Sequence, residues 1–536
     1  MYDLGVFLKM LPENKNKTVL FYIVPLIVLA FFFILKTRIL GYSDFASYYF
    51  GSQQLLLGNY HQVYDTLSLN LFIQSLGYQD LFVSYTPFPP FTSVFFALFT
   101  LIPIETSKLL FNILSCTVFC FSLYRCMKFF ALPPLLLLFI PLIIFTPIRS
   151  NIFFGQSYLL LFALLAEGYI AYKKNRPFLY SFFWGLAILF KVFPALILFF
   201  LLIKKEYRKI FYLSIACTCF LTLSIFVNGF SSWTFYLSEI FPRLNNGQLN
   251  DSYTFIFQSA FMFLKNIFLY DALLNPHAPC ANVYLFWFLL ASFKAFVIGS
   301  CIVITRQNKN DLASFALWIF ASMLISPNGS TYSLVLLLLP LFALYSTNAP
   351  FTQKIILTAL VFLISNIPVH YFASAPLLLK FPRLYLMILF FILLLILIKP
   401  RYSLATVLMI TLLFLGLESP RILQKPDESN YVLQKEEHLL IYDYKLKPGK
   451  ITYAYWSEKG SQKDSLNFNF NQQSTSSLEV KDQQIYYKGK KLTATSDWKR
   501  KPVLIDDQYI LYLSDKNKGI GFYTFRKIAL DQRASE

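Results

Sequence analysis

The chain is poor in acid and in metal-binding residues. Only 28 of its 536 residues are Asp or Glu, against 47 Lys or Arg, and 15 of those acids lie after Ser419, leaving 13 in the first 418 residues. The four histidines, His61, His277, His370 and His438, are scattered, and six of the seven cysteines lie in or beside apolar runs. Neither spacing suits zinc or a disulfide framework, so no metal and no cofactor is expected. There is no small-residue cleavage site after the first apolar run, which is therefore expected to be retained. No internal repeat or pair of related halves is visible, which argues against a symmetric transporter.

What is abundant is apolar surface. Hydrophobic residues make up 57% and aromatics 19% of the chain, with a mean hydropathy of +0.54. A chain of this length and composition must use lipid as solvent for most of its course. The formal charge of +19 does not indicate nucleic acid, because Lys and Arg stand between the apolar runs. There they orient a membrane protein and meet lipid headgroups.

Counting crossings from that charge pattern gives a polytopic helical membrane module over residues 1–418, with about thirteen crossings. Its N-terminus lies inside, and outer loops occupy residues 39–90 and 228–282. Lys173, Lys174 and Arg176 precede the run Phe178–Ile203, and Lys204, Lys205, Arg208 and Lys209 follow it. Both flanks read as internal, so the run should break into two short helices near Lys191 and Pro194. Three apolar stretches near 91–104, 109–124 and 132–148 face a requirement for an even number of crossings. The middle one, fenced by Lys108, Arg125 and Lys128, is expected to fail to span. After Ser419 the composition turns polar, with short alternating runs such as KITYAYW, QQIYYKG and YILYLS. These predict a small β-rich extracytoplasmic domain over 419–536, which carries no catalytic motif and reads as a docking or lid module.

The most polar part of the first 200 residues is Gly41–Pro90, and it holds Asp44, Asp65 and Asp80. Asp44 follows a membrane-length run, where a carboxylate keeps headgroup water yet reaches a lipid-borne substrate, so it is a candidate general base. Helix capping is the competing role for Asp44, and solvation or capping is expected of Asp65 and Asp80. Lys191 at the broken helix, with Arg149 or Arg38, is a candidate for binding a phosphate. Gln156, Gln258, Tyr48, Tyr49 and Trp233 are candidates for binding a sugar.

The order of these signals resembles the GT-C type glycosyltransferases, and most of all family 87, the polyprenyl-phosphate-mannose-dependent mannosyltransferases. The matching pieces are Asp44 in GYSDFASYYFGSQQLLLGNYHQVYD, the segment Tyr85-Thr86-Pro87-Phe88-Pro89-Pro90, and Gly155-Gln156 opening an apolar helix. They continue with Trp184 to Lys191 followed by Pro194, then Gln258-Ser259, then Ser326-Pro327. Tyr158, Lys265 and Tyr332 stand where the family pattern has other residues. The resemblance implies inverting transfer of mannose or a similar sugar from a polyprenyl phosphate donor to a lipid or glycan acceptor hydroxyl. It implies that Asp44 is the base and that the site faces the periplasm or exterior of a bacterial inner membrane. Membrane lipids and no nucleic acid are the expected partners. A transporter or flippase of a lipid-linked saccharide is the alternative, and would need no base.

Overall fold

The computed structural model describes residues 15–37, 44–79, 81–249, 253–308, 310–402, 409–417, 430–432, 440–457, 460–475 and 477–530. Arg38 and Asp80 lie outside the described residues, as does most of the 403–429 boundary between the two predicted regions. The first part is helical throughout and the last part is built of strands.

Among the described residues, three helices are long and apolar enough to cross a membrane: Ile104–Phe129, Tyr207–Asn228 and Val283–Gln307. A fourth is added if the pair Pro134–Ile143 and Phe145–Phe154, bent by 61°, forms one span. The other apolar helices have 10–17 residues. At about 1.5 Å per residue they fall short of a hydrocarbon core about 30 Å thick, so helix length alone does not reproduce thirteen crossings. The outward side of the bundle is apolar. Tyr207–Asn228 buries only Leu213, Ser224 and Asn228, while Phe226 at 87% and Phe178 at 81% are almost fully exposed. Such exposure suits lipid rather than water.

The structure corrects the expectation for the middle stretch, since residues 109–124 lie within the longest of the three spans, Ile104–Phe129. Of the three cations that fence it, two are accommodated by burial or by pairing with another helix, and the third by a ring one turn back in its own helix. Lys108 is buried, Arg125 pairs with Glu167 at 3.0 Å, and the Lys128 ammonium sits 4.4 Å from the Tyr124 ring centre. The short stretch is instead Phe91–Leu101. Its start is bonded through Pro90 O to Asn228 Nδ2 at 3.0 Å. Just past its end, Ile102 O accepts from the Tyr49 hydroxyl at 2.9 Å.

The bundle has two chemically different ends. At one end the basic turns converge: Asp311 bonds Lys173 at 2.8 Å and Lys204 at 3.0 Å. Both flanks of Phe178–Ile203 therefore meet at a single carboxylate. Between them the chain runs as Pro177–Lys191, breaks, and returns as Phe193–Ile203, which is the hairpin that the basic flanks and Pro194 predict. Val192 at the break has φ 56°, a region in which a β-branched side chain is strained.

At the other end lie the two polar loops and the β region. A five-stranded antiparallel sheet runs in spatial order Asn430–Tyr431, Thr524–Ala529, Tyr509–Ser514, Lys499–Ile505, Gln473–Ser474. It is joined by the three-stranded sheets Ile441–Lys447/Lys450–Ser457/Gly460–Asn467 and Leu478–Lys481/Gln484–Tyr487/Lys490–Lys491. Arg243 pairs with Asp515 at 2.9 Å, and Asn517 Nδ2 donates to Asp271 at 2.9 Å, fastening this region to the second loop. The first loop is held through Asp65, which is buried, ion-paired with Arg500, and accepts from the Tyr523 hydroxyl at 3.2 Å. Asp65 is thus neither solvated nor capping, since its side chain makes no cap bond to the helix Thr66–Ser75.

Candidate active site

The site is assembled where three chain segments approach each other closely. The helix Phe145–Phe154 ends on Gly155, whose φ of 66° places it in the left-handed region that glycine tolerates. A Cβ at Gly155 would stand 2.6 Å from Phe45 Cβ, so only glycine lets this turn meet the start of the helix Phe45–Leu56. That contact puts Gln156 beside Asp44, with Gln156 Nε2 donating to Asp44 Oδ2 at 2.8 Å. Asp44 occupies the N-cap position of Phe45–Leu56, yet its side chain makes no cap bond. The carboxylate is therefore directed to Gln156 and not into its own helix.

One turn along that helix, the Tyr48 hydroxyl lies 3.0 Å from both Gln156 Oε1 and Ser157 Oγ. Lys191 Nζ donates to the same hydroxyl at 3.1 Å. A chain of three hydrogen bonds thus runs Lys191–Tyr48–Gln156–Asp44. Lys191 ends its helix at the strained Val192 turn, and its ammonium lies among rings, 4.5 Å from the centre of Phe88 and 5.0 Å from that of Tyr158. Rings stabilise a cation without neutralising it. No carboxylate forms an ion pair with Lys191 among the described residues, so its remaining donors can take an anion.

Asp44, Gln156 and Lys191 all line one cleft of about 300 Å³, whose wall also includes the segment with Asn328, Ser330 and Tyr332, hereafter the far wall. Burial pushes the Asp44 carboxyl above its ordinary value. The Gln156 hydrogen bond, and then the charges of Lys191 and Lys108, pull it part of the way back. A carboxylate made more basic by burial while still held by a donor suits proton abstraction.

The other sequence candidates stand elsewhere. Tyr48 is buried beneath the cleft as the link just described, with its ring stacked on Phe96 at 4.6 Å. Tyr49 bonds Ile102 O, Trp233 Nε1 donates to Ser224 Oγ at 2.9 Å, and Arg149 is exposed; none of these three lines the cleft. Gln258 is committed to backbone, donating to Phe255 O and Lys380 O and accepting from Arg383 N. Sequence reasoning did not single out Ser157, Ser330 or Arg383. Arg383 is buried and bonds Ile364 O, Ile367 O and Thr331 Oγ1, holding the segment that forms the far wall. The one local hint of it is a lone arginine opening an apolar helix. Among the described residues, no group of three or more His, Cys, Asp or Glu converges as metal ligands.

Comparison with known proteins adds one finding. Residues 85–327 match the model of Glycosyltransferase family 87. No curated protein matches the chain. The matched stretch contains Gln156, Lys191, Gln258 and Ser326-Pro327 and begins downstream of Asp44. Together with the membrane-length apolar helices, the match makes residues 85–327, a stretch just under half of the chain, similar to the glycosyltransferases of family 87.

Proposed function

We propose that the chain transfers a sugar, mannose or a similar hexose, from a polyprenyl phosphate donor to an acceptor hydroxyl at the outer membrane face, with inversion. The observation that carries this reading is the single cleft walled by both Asp44 and Lys191. The donor's tail lies among the apolar helices while its phosphate meets the Lys191 ammonium. The acceptor oxygen attacks the anomeric carbon, and the bond from that carbon to the phosphate oxygen breaks. Asp44 takes the acceptor's proton, and polyprenyl phosphate leaves with the bonding pair. Lys191 stabilises the charge that grows on the departing oxygen. A single displacement needs one base, and among the described residues one carboxylate, Asp44, lines the cleft.

The side of the membrane is inferred from charge. The cleft, both polar loops and the β region lie at one end of the bundle, and Lys173, Lys204 and their basic neighbours at the other. Cations favour the cytoplasmic face, which leaves the cleft outside. The acceptor is a lipid or glycan hydroxyl that enters from that side.

The test is Asp44→Asn. An Asn can still accept the Gln156 bond through its amide oxygen, so the cleft is preserved while the base is removed. Transfer from a polyprenyl phosphate sugar should fall by roughly 10²–10⁴-fold while donor binding persists. Full turnover by this variant would remove the proposed base, and unchanged saccharide translocation without transfer would favour the transporter reading.

A further inference from the structure

Behind the far wall of the cleft lies a second, smaller cavity of about 40 Å³. The two cavities share Tyr158, Phe193, Ser326, Asn328 and Ser330 as lining, so the inner one is an extension of the cleft. A cavity of this size admits roughly two or three waters. It therefore has room for one small polar arm of a ligand and not for a sugar ring.

Polar side chains stand among the apolar ones that line it. Ser322 donates its hydroxyl to Ile319 O at 2.6 Å and Ser333 to Ser330 O at 2.7 Å, so both present lone pairs to a ligand. Asn328 Oδ1 is buried and has no hydrogen-bond partner among the described residues, which leaves a strong acceptor unsatisfied. The larger polar side chains of the wall are committed to the fold, Gln258 to three backbone groups and Arg383 to two carbonyls and Thr331. Among the described residues, the cavity therefore offers one unpartnered buried acceptor, Asn328 Oδ1, to an arriving O–H. Lys191, facing the outer cleft, offers donors to an anion. Lys191 lines only the outer cleft, and Ser322 and Ser333 line only the inner cavity.

Resting on the reading of the cleft as a polyprenyl-phosphate-sugar site, we propose that the inner cavity is the subsite for the exocyclic hydroxymethyl arm of the transferred hexose. Asn328 Oδ1 accepts its hydroxyl proton. The ring itself stays in the outer cleft, and the subsite selects hexoses over pentoses because a pentose leaves the buried Asn328 Oδ1 without a donor.

The experiment compares two polyprenyl phosphate donors that differ only by the hydroxymethyl arm, a hexosyl and the matching pentosyl compound, using the full chain in detergent or vesicles. The unaltered protein should favour the hexose by roughly 10–200-fold in kcat/KM. Asn328→Ala should narrow that ratio about 3- to 10-fold. Ser333→Leu, which fills the cavity, should bring it toward one. Thermal unfolding identifies variants that fail to fold, and Asn328→Asp, which keeps an acceptor, should retain the preference better than Asn328→Ala. A hexose preference that survives both Asn328→Ala and Ser333→Leu in folded protein overturns the subsite while leaving the transferase reading intact. An unaltered protein that uses neither donor overturns the underlying reading and the subsite with it.

Discussion

The contact between Arg243 and Asp515 is the most severe test of how the β region serves the cleft. Arg243 is 2% exposed and the Asp515 side chain 0%, and Asp515 also accepts from Trp498 N and Gly521 N at 2.8 Å each. Burial pushes the Asp515 carboxyl up and Arg243 pulls it back only in part, so desolvation is the larger effect. For such a pair, removing one partner costs about 3–5 kcal/mol because the other charge is left buried and bare. Arg243 Nε donates to Gln248 Oε1 at 2.7 Å, and Leu249, the next residue, lines the cleft. Asp515→Asn should therefore loosen both the docking and that wall, raising KM more than it lowers kcat. In Arg243→Met the remaining carboxylate keeps two backbone donors and can take up a proton, so the damage should be smaller. The double variant should be less destabilised than the sum of the singles by roughly 1–3 kcal/mol. Limited proteolysis of the β region, thermal unfolding and steady-state kinetics report these together. Single variants with unchanged protease resistance and KM, or strictly additive effects, would refute the reasoning.

Three further outcomes follow from the same geometry. Lys191→Met should weaken donor binding about 10- to 200-fold, the equivalent of a charged hydrogen bond worth about 1.5–3 kcal/mol, and Lys191→Arg should recover part of it; titration of donor binding checks this. Because Asp44 must be ionised to act and burial raises its pKa, kcat/KM should fall with decreasing pH at a point above the range of an ordinary Asp carboxyl. The same raised pKa lowers stability as pH rises from the unfolded toward the folded value, so Asp44→Asn should unfold at the same temperature or higher at neutral pH. Gly155→Ala should destabilise by about 1–3 kcal/mol and reduce transfer, since its Cβ meets Phe45 at 2.6 Å and its φ is positive; thermal unfolding and activity measured together would show it.

The parts of this architecture that were legible in the sequence are those written locally. Pro194 and two basic flanks announce the broken hairpin, and the change after Ser419 announces the strands, including Lys450–Ser457 and Tyr509–Ser514. Asp44 stands out in the sequence because acids are scarce in an apolar chain, and the structure sets it in the wall of the cleft. What was missed depends on partners far along the chain. Asp65 read as a surface residue because its cation, Arg500, lies 435 positions away. Lys108 and Arg125 read as helix boundaries because nothing local shows that one is buried and the other meets Glu167. Gly460–Asn467 forms a strand with the sequence GSQKDSLN, in which pairing with Lys450–Ser457 overrides a polar pattern of low strand propensity. Gln258 looked like a ligand-binding amide, whereas its contacts to Lys380 and Arg383, more than 120 positions away, show it fastening the wall instead.

The most direct measurement is a structure of the chain with a polyprenyl phosphate sugar bound. The account predicts the phosphate within hydrogen-bond reach of Lys191 Nζ, the anomeric carbon in the cleft, and the Asp44 carboxylate on the side opposite the departing phosphate. A phosphate seated at the basic turns around Lys173 and Lys204, or a sugar remote from Asp44, would contradict it.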